Sequence, residues 1–155
     1  MLTRALRRLF KRDREAQTCD LQQAFRHFEA GELEQCERIV DRLFGDDEHD
    51  PDCLNLRGLI ALARGNFERA RSYFTAAANA SPEAALYQFN LGNACLATGD
   101  MAAAMGAFER ASALKPDYVG AWKNLGLACH QYGQYARAAH ALEHAFRLDP
   151  SDENC

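Results

Sequence analysis

The chain of 155 residues is long enough for one domain with a hydrophobic core, and 48% of its residues are hydrophobic and 26% charged. Its formal net charge of -4 argues against a general nucleic-acid binder, which usually carries a basic domain. No stretch approaches the roughly 18 consecutive apolar residues of a transmembrane helix, so the sequence predicts no membrane span.

The N-terminal segment, residues 1–16, has a composition of its own. Apolar residues recur there at helical spacing while basic residues fill the rest of each turn; the apolar ones are Leu2, Ala5, Leu6, Leu9 and Phe10. This pattern predicts a basic amphipathic helix over residues 1–16. Three roles are open for it: a cap packed on the domain, contact with a membrane surface through residues 1–14, or docking on a partner.

Beyond residue 16, small residues and prolines recur with a period of 34. Five series keep one register: Gly58, Gly92 and Gly126; Gly31, Gly65, Gly99 and Gly133; Ala70, Ala104 and Ala138; Ala77, Ala111 and Ala145; and Pro82, Pro116 and Pro150. At a further position of the period stand Phe74, Phe108 and Leu142. Composition alone does not produce such a register, so the chain is predicted to consist of repeated structural units.

These series resemble the tetratricopeptide repeat, a 34-residue unit of two antiparallel helices with the pattern W-x2-L-G-x2-Y, then A-x3-F, then P. The last unit matches it at Trp122, Leu125, Gly126, Ala138, Leu142, Ala145 and Pro150. The resemblance predicts a domain over 17–155 with four units, at 17–50, 51–84, 85–118 and 119–152. It implies an all-α, right-handed superhelical solenoid of antiparallel helix pairs. The first unit departs most from the pattern, as terminal repeats do.

The small residues have physical reasons to be where they are. Gly58, Gly92 and Gly126 are expected to face the alanines of the following helix, so that the two helix axes come close together. The glycines of the second series are expected to end the first helix of each unit with a positive φ. The prolines mark the turn after the second helix, because proline is excluded from a helix interior.

No catalytic constellation is evident, so the sequence predicts neither an enzyme nor a cofactor. His140 and His144 lie one helical turn apart, but no third ligand accompanies them, and no metal site is predicted. In the acidic stretch 46–52, Asp50 is expected to cap the next helix and Pro51 to occupy its first position.

The six cysteines contain no C-x-x-C pair and indicate a reduced, cytoplasmic protein. Cys95 and Cys129 stand at the same position of the period and are predicted to be buried as small hydrophobic residues. Abundant alanine and a preference for arginine over lysine are a compositional hint of a bacterial source.

Without catalysis, function is expected on a surface. In tetratricopeptide arrays this is most often the concave groove lined by the first helix of each unit. The inward-facing positions of the family fall here on Asn55, Leu59, Phe89, Asn90, Asn93, Lys123, Asn124, Leu127, His130 and Gln131. These ten residues are the predicted peptide-binding groove.

The asparagines suggest how such a groove would hold a peptide. Asn90 and Asn124 are one repeat period apart and Asn93 lies one turn beyond Asn90, in a row similar to the asparagine ladder of O-linked N-acetylglucosamine transferases. Amides can hold a peptide backbone without demanding particular side chains. Ordinary surface amides or local packing are an equally open interpretation. The carboxylate clamp of co-chaperone domains is excluded, because only Asn90 matches it and its basic residues are missing.

Each end of the predicted array has a terminal face without a neighbouring repeat. A cap is the preferred role for residues 1–16, because repeat arrays need their terminal faces covered. At the other end no solvating helix follows residue 152, so Leu142, Ala145, Phe146 and Leu148 are expected to be partly open. This predicts either a fragment of a longer array or an edge that self-associates.

The sequence therefore predicts a non-catalytic protein–protein interaction scaffold that binds a peptide segment or a partner protein in its groove. The alternative is an N-terminal substrate-recruiting module of a larger transferase, such as a glycosyltransferase. Nucleic acid is not an expected partner, because the chain is acidic beyond residue 16.

Overall fold

Helices make up nearly all of the chain that can be described. The structure, a computed structural model, describes residues 20–45 and 49–150. Within these ranges there are eight helices and no strand. They are α1 (20–29), α2 (Leu33–Phe44), α3 (Pro51–Ala63), α4 (Phe67–Ala80), α5 (Ala85–Ala97), α6 (Met101–Leu114), α7 (Val119–Gln131) and α8 (Tyr135–Leu148). The predicted helix over residues 1–16 lies outside the described residues.

The helices repeat in pairs. The first helices α3, α5 and α7 each begin one repeat period after the last, and so do the second helices α4, α6 and α8. Each first helix packs against its own second helix, and each second helix packs against the next first helix, as α4 does against α5 and α6 against α7. The fold is therefore the predicted all-α superhelical solenoid of antiparallel helix pairs.

The turns follow the predicted chemistry. Gly31, Gly65, Gly99 and Gly133 have φ between 76° and 83°, a conformation that residues with a Cβ rarely adopt. Each lies between the first and second helix of a pair, so the prediction for this glycine series is confirmed. Pro82, Pro116 and Pro150 follow the second helices at their predicted turns.

The start of α3 is also as predicted. The Asp50 carboxylate accepts hydrogen bonds from the backbone N–H groups of Asp52 and Cys53, at 2.9 and 3.0 Å. Pro51 takes the first helical position, where its missing N–H has no partner to lose. The cap fixes where the second pair of helices begins; residues 46–48 of the acidic stretch lie outside the described residues.

The glycines inside the first helices allow a close approach of the second helices, and their nearest neighbours are large side chains. A Cβ added at Gly58 would lie 2.6 Å from a ring carbon of Phe74, and one at Gly92 would lie 2.5 Å from a ring carbon of Phe108. At Gly126 it would lie 2.6 Å from Leu142 Cγ. The large side chain of the second helix therefore lies nearest to each missing Cβ, and at Gly126 the predicted Ala138 is also close, with its backbone oxygen 3.3 Å from the Cβ position.

These large side chains join one pair of helices to the next. Phe74 and Phe108 are completely buried, and Phe74 packs with Ala61 of α3 and Ala94 of α5 as well as with its own helix. Removing such a ring would leave a cavity, which typically costs about 3–5 kcal/mol. The core is therefore a continuous series of junctions along the array rather than one central cluster.

The cysteines of the described residues belong to this core. Cys95 and Cys129 are 2% and 0% exposed, which confirms the predicted packing role. Burial raises the pKa of the thiol at both positions and at Cys36. These thiols therefore stay protonated at neutral pH and act as small hydrophobic side chains.

Candidate functional site

The first helices α3, α5 and α7 are linked directly to one another by amide side chains. Asn90 Nδ2 donates to Asn55 Oδ1 at 2.7 Å, and Asn124 Nδ2 donates to Asn93 Oδ1 at 2.8 Å. Each bond joins two neighbouring first helices, so the predicted row of asparagines exists as two bonded pairs. We call the surface that these helices present the groove.

The pair Asn55 and Asn90, called here the inner pair, is buried below this surface. Asn55 and Asn90 are only 1% and 7% exposed, and Asn55 Nδ2 is buried without a hydrogen-bond partner within the described residues. An amide already bonded and buried cannot also hold a peptide in this conformation. Asn55 and Asn90 therefore set the register between α3 and α5, as the local-packing interpretation of these amides expects.

The pair Asn93 and Asn124, called here the outer pair, is less buried than the inner pair. Asn93 and Asn124 are half-buried rather than buried. Their mutual bond uses Asn93 Oδ1 and one hydrogen of Asn124, so Asn93 Nδ2 and Asn124 Oδ1 keep their capacity to bond a peptide backbone. Together they offer one donor and one acceptor, as the backbone of an extended peptide requires.

The groove also carries apolar side chains, which come from α3, α5 and α7. Leu127 is 48% exposed, Leu59 and Phe89 are half-buried, and Leu86, a groove position outside the ten predicted residues, is 46% exposed. Phe89 is held between two rings, with centroids 4.8 Å from Tyr118 and 5.8 Å from Phe108, so its position is fixed by packing. The first helices therefore present both apolar and amide side chains on this surface.

The remaining predicted groove residues lie on α7. Lys123 is half-buried, while His130 and Gln131 are exposed. The His130 ring packs edge-on against Tyr135 of α8, with centroids 5.5 Å apart. Among the ten predicted groove residues Lys123 is the one fixed charge, so the groove does not select strongly for either sign of charge.

Asp52 lies at the rim of the groove and is already engaged. Its carboxylate accepts a hydrogen bond of 2.7 Å from the Tyr87 hydroxyl. Burial first, and then this hydrogen bond, raises the pKa of Tyr87 above its usual value. The pair ties α3 to α5 at the beginning of both helices, and it adds rigidity to the groove rather than a free charge.

Sequence reasoning missed a cleft that lies outside the groove. A cleft of about 460 Å³ lies between α6, α7 and α8, lined among others by Trp122, Leu125 and His140. The Trp122 ring stacks on His144 with centroids 4.2 Å apart and meets His140 edge-on, so these histidines contact an aromatic ring rather than forming a pair aimed at a metal. Trp122 itself was the available signal, since tryptophan combines a large apolar ring with a polar N–H and is enriched at interfaces.

Residues 20–45 and 49–150 contain no group of three or more potential metal ligands. No helix there is long and apolar enough to cross a membrane.

Comparison with known proteins identifies the class. Two family models, each described as tetratricopeptide repeat, match residues 55–119 and residues 96–155. The chain belongs to the tetratricopeptide repeat family. No curated protein sequence matches it.

Solved structures share this fold. A mutant of the O-GlcNAc transferase of Thermobaculum terrenum is 29% identical with a TM-score of 0.78, and the match covers 88% of this chain and 27% of the transferase. The tetratricopeptide domain of Sgt2 from Aspergillus fumigatus is 30% identical with a TM-score of 0.62, covering 65% of this chain and 67% of that one. The first tetratricopeptide domain of RPAP3, solved with an HSP90 peptide, is 21% identical with a TM-score of 0.66, covering 70% and 86%. The chain thus spans about a quarter of the transferase that it resembles.

Proposed function

We propose that this protein is a non-catalytic interaction scaffold that holds a peptide segment of a partner protein in the groove. One observation carries the proposal: exposed apolar side chains and half-buried amides lie together on consecutive first helices. The peptide bound to RPAP3 supports it, because that domain has the same fold.

The surface favours a particular kind of peptide. Leu86 and Leu127 would contact apolar side chains, while Asn93 and Asn124 would bond the backbone between them. With Lys123 as the one fixed charge among the ten predicted groove residues, the groove would not retain a terminal carboxylate by ion pairing. We therefore infer an internal, partly apolar segment of a partner as the ligand.

The test compares two equally exposed leucines. A random peptide library selected on the wild-type chain supplies a consensus peptide, whose affinity is then measured by fluorescence polarisation. Leu86→Asp changes the groove, whereas Leu114→Asp changes a leucine of similar exposure on the second helix α6. Leu86→Asp is expected to weaken binding at least about tenfold, and Leu114→Asp to leave it unchanged.

Either of two results would overturn the proposal. Binding that survives Leu86→Asp would place the peptide outside the groove. Equal loss in both variants would show a general change of the molecule rather than a lost contact, and circular dichroism would reveal whether the helices persist.

A second candidate function is the substrate-recruiting module of a larger transferase. It is favoured by the match of 88% of this chain to part of an O-GlcNAc transferase. The reading frame of the gene beyond codon 155 tests it. A catalytic domain downstream is expected under this candidate, and a stop codon after Cys155 would contradict it.

The organisation and setting of the chain belong to the same proposal. We propose the four units at 17–50, 51–84, 85–118 and 119–152, preceded by a capping segment over residues 1–16. A bacterial cytoplasm remains the expected setting. Expression of a tagged gene with microscopy or cell fractionation would check it, and recovery with the membrane fraction would instead support membrane contact by residues 1–14.

A further inference from the structure

Large apolar side chains are exposed mainly at the C-terminal end of the described array. Of the eight exposed large hydrophobic residues found in the described ranges, five lie between α7 and the end of α8. They are Leu127 at 48% exposure, Tyr132 at 54%, Tyr135 at 67%, Phe146 at 49% and Leu148 at 38%. Leu127 belongs to the groove, whereas Tyr135 and Phe146 lie on α8, so α8 carries an exposed apolar surface of its own.

Four residues of α8 form an uncharged line along this end. Tyr135, Ala139, Leu142 and Phe146 follow one another at alternating steps of four and three positions, which places them on one face of the helix. We call these four residues the C-terminal stripe. The same spacing is that of the apolar seam between two paired helices.

The equivalent line on α6 shows what such a stripe does inside the array. Met105, Phe108 and Ser112 stand one repeat period before the last three stripe residues, and they are 6%, 0% and 4% exposed. The following helix α7 packs on α6, and Met105 and Phe108 share a core cluster with Leu125. The last three residues of the C-terminal stripe, Ala139, Leu142 and Phe146, therefore continue the surface through which each pair of helices receives the next helix.

The other described end of the array is polar. On α1, Gln22 and Arg26 are exposed, although Leu56 and Ile60 at the same positions of α3 are 0% and 4% exposed. If α1 of another copy covered the C-terminal stripe, it would place amide and guanidinium groups against apolar side chains, which is unfavourable without hydrogen-bond partners. A head-to-tail chain of copies is therefore disfavoured.

We propose that the C-terminal stripe pairs with the same stripe of a second copy, so that two α8 helices pack against each other across a two-fold axis. Of the two ends of the described array, this is the one that offers a second copy a matching apolar face. Across a two-fold axis the stripe of one copy faces the stripe of the other copy. The stripe carries no charge that would meet a like charge there. The contact is closed, so it produces dimers and not filaments.

Sedimentation equilibrium of the full chain tests this pairing. The wild type, of 17.3 kDa, is expected to form a reversible dimer. Phe146→Ser introduces serine, the residue found one repeat period earlier at Ser112, so the substitution is compatible with the helix. It is expected to raise the dimer dissociation constant at least about tenfold.

Two control variants locate the contact. Phe67→Ser removes an aromatic residue of similar exposure, 43%, from α4, far along the chain from the stripe. Leu86→Asp alters the groove without touching the stripe. Both are expected to dimerise like the wild type, and a second stripe variant, Tyr135→Ser, is expected to weaken the dimer in the same direction as Phe146→Ser.

Several outcomes would overturn the pairing. These are a wild type that stays at the mass of one chain up to millimolar concentration, assemblies that grow beyond two copies, and a dimer that neither stripe variant weakens. Loss of the dimer in Leu86→Asp would move the contact to the groove. None of these outcomes decides peptide binding, so this inference and the proposed function can fail separately.

Discussion

The two ends of the described array present opposite surfaces. On α1, Gln22 and Arg26 occupy positions that are apolar and buried in α3. On α8, Phe146 is 49% exposed at a position where Ala78 and Ser112 are each 4% exposed. One end thus carries side chains suited to water, while the other carries a large ring where the interior has small residues. Departures from a repeat therefore indicate what each end faces.

The largest expected effect contrasts the interior with the open end. Phe108→Ala is expected to lower the free energy of unfolding by about 4 kcal/mol, because the ring is completely buried between two pairs of helices. Leu142→Ala, at the same position of the last pair, should cost about 2 kcal/mol, since its side chain is only half-buried. Urea denaturation measures both; equal losses would mean that the end is as well covered as the interior.

The buried amide pair should show strong coupling. Replacing Asn90 alone by leucine leaves Asn55 buried without its partner and is expected to cost about 1–3 kcal/mol. Replacing both asparagines by leucine removes the unpaired groups and should restore most of that loss. A double-mutant cycle on unfolding free energies checks this, and additive losses would show that the bond does not couple α3 to α5.

Buried thiols near both ends of the described array should lower its stability at alkaline pH. Burial raises the pKa of Cys36 near one end and of Cys129 near the other. The unfolded chain then loses these protons at a lower pH than the folded chain does, so stability should fall as pH rises above about 8.5. Urea denaturation between pH 7 and pH 10 measures the slope. A stability that increases over this range would contradict the assigned direction, and a C36A/C129A variant should show a smaller slope.

The smallest expected effect concerns the exposed ring itself. In dilute monomer, Phe146→Ser should change the free energy of unfolding by no more than about 0.5 kcal/mol, because half of the ring already faces solvent. Its effect should appear in association and not in folding. The measurement is made at a concentration where the wild type is monomeric. A loss of about 2 kcal/mol or more, the size typical of a core truncation, would then show that Phe146 belongs to the core.

Much of the fold could be predicted because each repeat places the same types of residue at its turns. The glycine at Gly65 needs a positive φ and Pro82 cannot continue a helix, and both requirements are local and visible in the sequence. Asp50 followed by Pro51 likewise marks a helix start without any knowledge of the tertiary structure. The positions of helix pairs follow from these signals and the repeat period.

The candidate site was less predictable because it depends on side-chain geometry between helices. The period places Asn90 and Asn124 on equivalent positions, yet Asn90 bonds back to Asn55 and is buried, while Asn124 stays half-buried. The choice depends on the neighbouring helix, which offers Asn55 at one junction and Asn93 at the other. Equivalent positions in a repeat therefore share a backbone environment without sharing a partner.

The C-terminal end shows the same limit. The sequence predicted an open surface that included Ala145, but Ala145 is completely buried. Phe146, the next residue, lies nearly half-exposed as expected. The helix rotation that separates these neighbours is fixed by packing of α8 on α7 and not by hydropathy.

Hydrogen–deuterium exchange tests the central claim most directly, because it locates a bound peptide along the chain. With the consensus peptide present, we predict slower exchange in the first helices α3, α5 and α7, centred on Leu86, Asn93 and Asn124. The second helices α4 and α6 should exchange as before. Protection confined to the second helices, or to the cleft beside Trp122, would contradict a scaffold that works through its groove.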